Sequence, residues 1–589
     1  MELPPGIVYF INAFTAYFFP SVLVYIFLTL VAGHQSYFND VPRWLIISAA
    51  IVSQPLRVAP SFVYTKLRSG RVAKALGAVI PPVVEEWSIF TVSKLAATLR
   101  DGYPGDVLHK FTLKYGNTYQ LEMLNQIIVV TLEPEHIKAI LSTQFESFEK
   151  GLVFYGQMGS LLGKGVFNSD GEMWKFHRAM TRPFFTRERI SDFEIYHRNC
   201  DISLSHAKHR IAEGHPVDFQ DLVSRFTLDS ATEFLFGNNV GSLLAGIPYA
   251  HSHAGKNPSS FYAHPSTAFV KAFTEGQLNS VCRMNYGNEW PLWEFWKDEV
   301  KPQRRIIDAF AEPLLRKALE MREKETSGGG DESKDEEDVT LLAHLVRHTQ
   351  DPNILKDELV NLLVAGRDTT GSLLTSSFYM LTQHPDIEKR LREEVIDEVG
   401  PSSSPTYENM REMKYLRAFL NEVLRLYPPV PADTRSTKNA TTLPPASPGQ
   451  KAVYVPANVP VVYSIMHMQR RTDLWGPDAL QFDPDRFIDE RLHKYLVPNP
   501  FIFCPFNAGP RICLGQQFAY HEATYFLVRF LQQFANFSLD DAANVKPPAD
   551  WANEEGLKAM EKIHPLAHLT MYVKGGLWVR MEELKLSDA

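Results

Sequence analysis

The longest uninterrupted apolar stretch of the chain comes first: Gly6 to Gly33 carries no charged residue. As a helix it would extend roughly 40 Å at about 1.5 Å per residue, more than the hydrocarbon core of a bilayer requires. No basic residue precedes it and it exceeds a normal signal-peptide core, so a membrane span is expected rather than a cleaved leader. A second apolar stretch, Trp44 to Tyr64, is interrupted by Pro55, Arg57 and Pro60, and suits a span, a re-entrant segment or a surface helix. Lys66, Arg68, Arg71 and Lys74 follow it, which puts that side in the cytoplasm. Further along, alternation predicts strands over Thr118 to Met123 and Gln126 to Thr131, with a helical pattern from Glu133 to Leu141. Helical periodicity returns over Phe226 to Leu235, over a long apolar run from about Ile354 to Met380, and over Gln516 to Phe534. Leu569 to Met581 predicts two strands turning at Gly575-Gly576. Gly246 to Ser266 is loop-like, and Glu325 to Asp338, acidic with three glycines, predicts a solvated loop. The fold class is therefore mainly α with a small β-sheet region. Its organisation is a transmembrane segment (residues 1–34), a second apolar segment with linker (35–93) and a large body (94–589).

Composition adds bounds. With 589 residues, 45% of them hydrophobic, the chain can bury a large core. A net charge of −8 argues against a nucleic-acid surface. The four cysteines are scattered, which excludes a disulfide framework and a paired zinc site, and the histidines of Gly246 to Ser266 are too irregular for a metal.

The chemistry concentrates in Phe506-Asn507-Ala508-Gly509-Pro510-Arg511-Ile512-Cys513-Leu514-Gly515. Cys513 stands just ahead of a helical pattern, whose free N–H groups favour a thiolate, and a thiolate can ligate a haem iron. Gly509 and Gly515 would admit a flat macrocycle, Arg511 offers a fork to a haem carboxylate, and Phe506 can shield the sulfur. Cys504 competes as ligand but lacks this frame. An anionic sulfur ligand on haem iron favours O–O cleavage.

These residues resemble the cytochrome P450 family of haem-thiolate monooxygenases, and other segments match it in chain order. Glu422-Val423-Leu424-Arg425 resembles its Glu-x-x-Arg helix, and Phe482-Asp483-Pro484-Asp485-Arg486-Phe487 supplies a third member for a buried ionic network of Glu422, Arg425 and Arg486. Ala365-Gly366-Arg367-Asp368-Thr369-Thr370 resembles the family's oxygen-binding groove. Gly366 would let a ligand approach, Thr369 would bond back to Ala365, and Asp368 with Thr369 form the acid-alcohol pair that relays protons. Arg367 has no assigned role. Trp174 and Arg178, four apart on one helical face, and Arg435, ten residues after Arg425, are the implied haem propionate ligands. Arg178, Arg182, Arg187 and Arg189 could form a basic patch for an acidic electron donor.

The resemblance implies a cytochrome P450 fold preceded by an N-terminal membrane anchor, with haem b ligated by Cys513. It implies an NADPH-cytochrome P450 reductase, O2, a small hydrophobic substrate and membrane lipid as partners. The expected site is the endoplasmic reticulum membrane, with the catalytic domain facing the cytoplasm. The segments quoted, with Thr442-Leu443-Pro444, are most similar to fungal microsomal hydroxylases of n-alkanes and fatty acids. Asp540 to His564 departs from that group, being long and polar. Other readings are a haem-thiolate isomerase or dehydratase needing no reductase, a hydroxylase of polycyclic or xenobiotic compounds, and a non-enzymatic haem carrier or sensor.

Overall fold

A computed structural model describes residues 3–34, 41–123, 126–190, 193–327, 340–349 and 351–584. The N-terminal apolar residues form a helical run, and Pro5–Ala32 is the one helix among the described residues long and apolar enough to cross a membrane. The second apolar stretch is a single helix, Arg43–Ala75, that continues through both Pro55 and Pro60. Each proline removes one ladder bond without ending the helix. Arg57 donates to the Ala16 carbonyl at 2.9 Å, so its charge is met by the preceding helix.

The predicted strands Thr118–Met123 and Gln126–Thr131 pair antiparallel from Thr118↔Thr131 to Met123↔Gln126. They extend through Pro460–Tyr463 and Asp433–Thr437 to Phe148–Glu149, making a five-stranded sheet. Only the join of Gln126–Thr131 with Pro460–Tyr463 is parallel. The pattern from Glu133 to Leu141 becomes the helix Pro134–Lys138 and a wider turn, Ala139–Thr143.

Two expectations about turns are corrected. Met571–Val573 and Trp578–Glu583 do not pair with each other across Gly575-Gly576. The turn does form, Gly576 N–H donating to the Val573 carbonyl at 3.2 Å, but the first strand pairs with Pro565–Ala567 and the second with Phe534–Leu539 and Val217–Asp218, where Leu577 N–H donates to the Asp218 carboxylate at 3.0 Å. The segment Gly246 to Ser266 contains helical turns at His251–Lys256 and Ser259–Ala263. Of the acidic loop, residues 328–338 lie outside the described residues.

The helices Phe219–Phe236, Thr369–Gln383, Lys414–Leu426 and Gln516–Gln533 enclose the largest apolar core. Phe226 meets Phe526 at 4.7 Å between ring centres, and Phe378 meets Phe530 at 5.6 Å. Truncating one such ring to alanine costs about 3–5 kcal/mol. This core fixes the helix that follows Cys513 against the helix that carries Thr369.

Candidate active site

The cysteine loop is held from both ends. Cys513 N–H donates to the Phe506 carbonyl at 3.0 Å and Asn507 N–H to the Cys504 carbonyl at 3.0 Å. Asn507 adopts φ +57°, and its amide donates to Asp433 at 3.2 Å while the Tyr463 hydroxyl donates to its oxygen at 3.1 Å. Gly509 has φ +66°, and a Cβ there would lie 1.9 Å from the Leu141 carbonyl oxygen. Glycine is thus required at 509 by the loop's contact with its neighbouring turn. A Cβ at Gly515 would meet only the Phe185 ring at 3.5 Å and the Cys513 sulfur at 3.9 Å.

Cys513, Phe506, Gly515, Arg511, Trp174, Arg178, Arg435, Gly366 and Thr369 all line one cavity of about 560 Å³. Cys504 is buried away from it, its thiol donating to the Phe501 carbonyl at 3.4 Å. The accessible surface of Cys513 is surface that faces this cavity. Burial raises the Cys513 thiol pKa, while the Gly515 amide and the Arg178 guanidinium oppose it. The helix end alone therefore does not make the thiolate; a coordinated metal does that outright.

The helical run containing Gly366 is a helix at Pro352–Leu363, a widened turn at Val364–Asp368 and a helix at Thr369–Gln383. Thr369 Oγ1 donates to the Ala365 carbonyl at 2.6 Å, as its spacing predicts. A Cβ on Gly366 would stand 3.0 Å from Ala231, so this glycine also serves the close crossing of Phe219–Phe236. Asp368 is not on the cavity wall. Its oxygens are held by Arg367 and by the Gln277 amide, each at 2.5 Å, which gives the previously unassigned Arg367 a partner. The buried acid turns toward a cation and an amide donor because a lone charge against the apolar wall would be costly.

Arg511 donates to Asp170 at 2.6 Å and lies 4.5 Å over the Trp174 ring, while Arg435 donates to Asp433 at 2.8 Å. Lys150 also pairs with Asp433 at 2.8 Å, and burial, then Arg435, pull its pKa down to about 8. Asp170, Asp433 and Lys150 carried no sequence signal of their own. Arg178 has no acidic partner among the described residues, and its guanidinium acts on the Cys513 sulfur. Because it lies inside the cavity, it does not belong to the basic surface patch. Arg187 and Arg189 lie over the Tyr407 and Phe184 rings.

Glu422, Arg425 and Arg486 do form the expected network. Glu422 accepts from Arg425 Nε and Nη2, each at 2.7 Å, and Arg486 Nε stands 3.6 Å away; all three side chains are fully buried. Arg486 also binds Asp478, and Arg425 also donates to the Gln469 and Ala479 carbonyls.

These donors fit a haem. A single thiol faces a mainly apolar slot, and Arg178, Arg435, Arg511 and the Trp174 N–H line it as donors for two carboxylates. The family model Cytochrome P450 matches residues 81–558. The chain is 32% identical to Cytochrome P450 52A5 of Candida maltosa over 93% of this chain and 98% of the relative. It is 36% identical to Cytochrome P450 monooxygenase himC of Aspergillus japonicus over 74% and 73% of the respective chains. Cytochrome P450 52A1 of Candida tropicalis is 35% identical over 73% and 76%. Fold, cavity and relatives agree: this chain belongs to the cytochrome P450 family, haem-dependent monooxygenases whose iron is held by a cysteine thiolate.

Proposed function

We propose that the protein is a membrane-anchored monooxygenase that hydroxylates n-alkanes or fatty acids, with electrons from an NADPH-dependent reductase. The observation that carries this reading is the apolar cavity that brings Cys513 and the opened helix at Ala365 and Thr369 to one space. When bound, haem supplies reduction and cleavage of O2.

The chain's own residues do the rest. Cys513 would supply the sulfur that ligates the haem iron, with the Gly515 amide and Arg178 favouring its negative charge. Arg178, Arg435, Arg511 and Trp174 would hold the two propionates. Thr369, its proton committed to Ala365, keeps lone pairs free to accept from water in the cavity. Asp368 delivers protons after releasing Gln277 or Arg367, its partners at rest. Leu235, Leu362, Leu373 and Leu569 exclude water from the wall near Thr369 and favour a hydrocarbon chain.

Pro5–Ala32 supports anchoring in the endoplasmic reticulum membrane, and the basic residues after the second helix support a cytoplasmic catalytic domain. The test is mass spectrometry of products from reductase-supplemented membranes given alkanes, fatty acids and polycyclic aromatics. Hydroxylated chains that depend on NADPH are expected. Product formed without NADPH would favour an isomerase or dehydratase, and exclusive oxidation of the aromatics would overturn the substrate class.

A further inference from the structure

The strands Pro565–Ala567 and Met571–Val573 run antiparallel with Ala567 opposite Met571, so His568, Leu569 and Thr570 form the turn between them. All three residues line the cavity. The turn is held from several sides. His568 N–H donates to the Thr570 carbonyl at 3.0 Å, Met571 N–H to the Pro429 carbonyl at 2.9 Å, and Val573 N–H to the Gln220 side chain at 2.6 Å. The Tyr572 ring stacks on the His568 ring, with 4.7 Å between centres and 19° between planes.

Two observations fix the state of this imidazole. Thr570 N–H donates to His568 Nδ1 at 3.1 Å, so Nδ1 is the acceptor and the proton of the neutral ring sits on Nε2. Burial pulls the pKa of the ring down to about 4, with Asp368 opposing the shift and Arg367 adding to it, so the ring is neutral near pH 7. The Nε2–H group finds no acceptor among the described residues and is not sealed in the interior, so it opens onto the cavity.

The surroundings narrow what such a donor can bind. Its neighbours on the wall, Ala567 and Leu569, are apolar. The charged groups that act on the ring, Arg367 and Asp368, pair with each other at 2.5 Å, so a carboxylate placed here would lack a counter-charge. An alkane would strip water from the donor and return nothing. A neutral oxygen satisfies it.

We propose that His568 Nε2–H is a specificity-determining donor to a neutral oxygen, carbonyl or hydroxyl, carried by the aliphatic substrate. The inference deepens the hydroxylase reading and rests on it for the aliphatic chain: the site prefers chains bearing an ester, a ketone or an alcohol to plain alkanes of equal length. His568 transfers no proton. One fixed donor on a mainly apolar wall sets how the chain lies, as a few well-placed polar groups do in such pockets.

The test uses the full-length, haem-loaded protein in lipid. The probes are a long-chain methyl ester labelled with carbon-13 at its carbonyl and the n-alkane of equal chain length. In wild type, the infrared carbonyl stretch of the bound ester should lie below that of the same ester in lipid alone. In His568→Phe, which keeps a ring to stack on Tyr572, it should return to the free value. The ratio of ester to alkane affinity, read from haem absorbance during titration, should fall roughly tenfold, the effect of one hydrogen bond. An unshifted carbonyl in wild type, or a shift and a ratio that His568→Phe leaves in place, would overturn the proposal. Should His568→Phe not load haem, His568→Asn keeps an acceptor for Thr570 N–H, lacks the ring donor and carries the same test. Neither readout needs turnover. NADPH-dependent hydroxylation with an unbonded carbonyl would sink this inference alone, whereas a bonded carbonyl without such product would sink the hydroxylase reading.

Discussion

Replacing Glu422 with alanine probes how the buried ion network supports the cysteine loop. The carboxylate accepts two bonds from Arg425 at 2.7 Å and one from Asp483 N–H at 3.0 Å, with Arg486 at 3.6 Å. Arg486 retains Asp478, and Arg425 retains carbonyl partners, so one guanidinium loses its only anion and one amide its acceptor. Breaking a buried pair costs about 3–5 kcal/mol, and an orphaned amide about 1–3 kcal/mol. Relaxation of Asp483 toward water offsets part of the sum, so about 4 kcal/mol is expected. That is a large share of the roughly 5–15 kcal/mol that stabilises a typical protein. The assay is urea unfolding of the detergent-solubilised protein, followed by circular dichroism and haem absorbance together. Glu422→Met combined with Arg425→Met should recover most of the loss, since removing both charges leaves no unpaired ion. A Glu422→Ala protein within 1 kcal/mol of wild type would refute the network's supporting role.

Other perturbations address the site more locally. Thr369→Ala removes the hydroxyl bonded to Ala365 and should uncouple NADPH oxidation from product; an unchanged product-to-NADPH ratio would refute its assigned role. Gly509→Ala forces a side chain into left-handed backbone and onto the Leu141 carbonyl, so haem absorbance per protein should fall several-fold. Glu561 is raised to about 7, chiefly by burial, and accepts from Tyr103, Tyr379 and Tyr427. Folded protein thus binds this proton more tightly than unfolded protein, and stability should decline by about 3 kcal/mol as pH rises from 4.5 through 7. Glu561→Gln should flatten that decline in urea midpoints measured across the interval.

Much of this architecture is legible in the chain because local signals agree with tertiary packing. The alternation of Thr118 to Met123 and Gln126 to Thr131 survives as a hairpin because the two strands are neighbours in sequence. Glu422 and Arg425 are readable because three residues place them on one helical face. Strand pairing at Met571–Val573 was not readable, since its partner Pro565–Ala567 has no alternation long enough to mark it. Gly509 illustrates a different limit: its requirement comes from Leu141, far away in sequence. The same holds for Asp433, which gathers Lys150, Arg435, Tyr463 and Asn507. Asp368 was placed at the cavity by motif, but Gln277 from a distant helix draws it aside. Asp540 to His564, polar in sequence, ends in the buried Glu561 and its tyrosines, so its polarity partly serves an internal cluster.

The most direct measurement is the absorption spectrum of the reduced, carbon-monoxide-bound protein in wild type, Cys513→Ser and Cys504→Ser forms. Wild type and Cys504→Ser should show the red-shifted Soret band of thiolate-ligated haem, and Cys513→Ser should lack it. Persistence of that band without the Cys513 sulfur, or its absence from folded, haem-loaded wild type, would contradict the account.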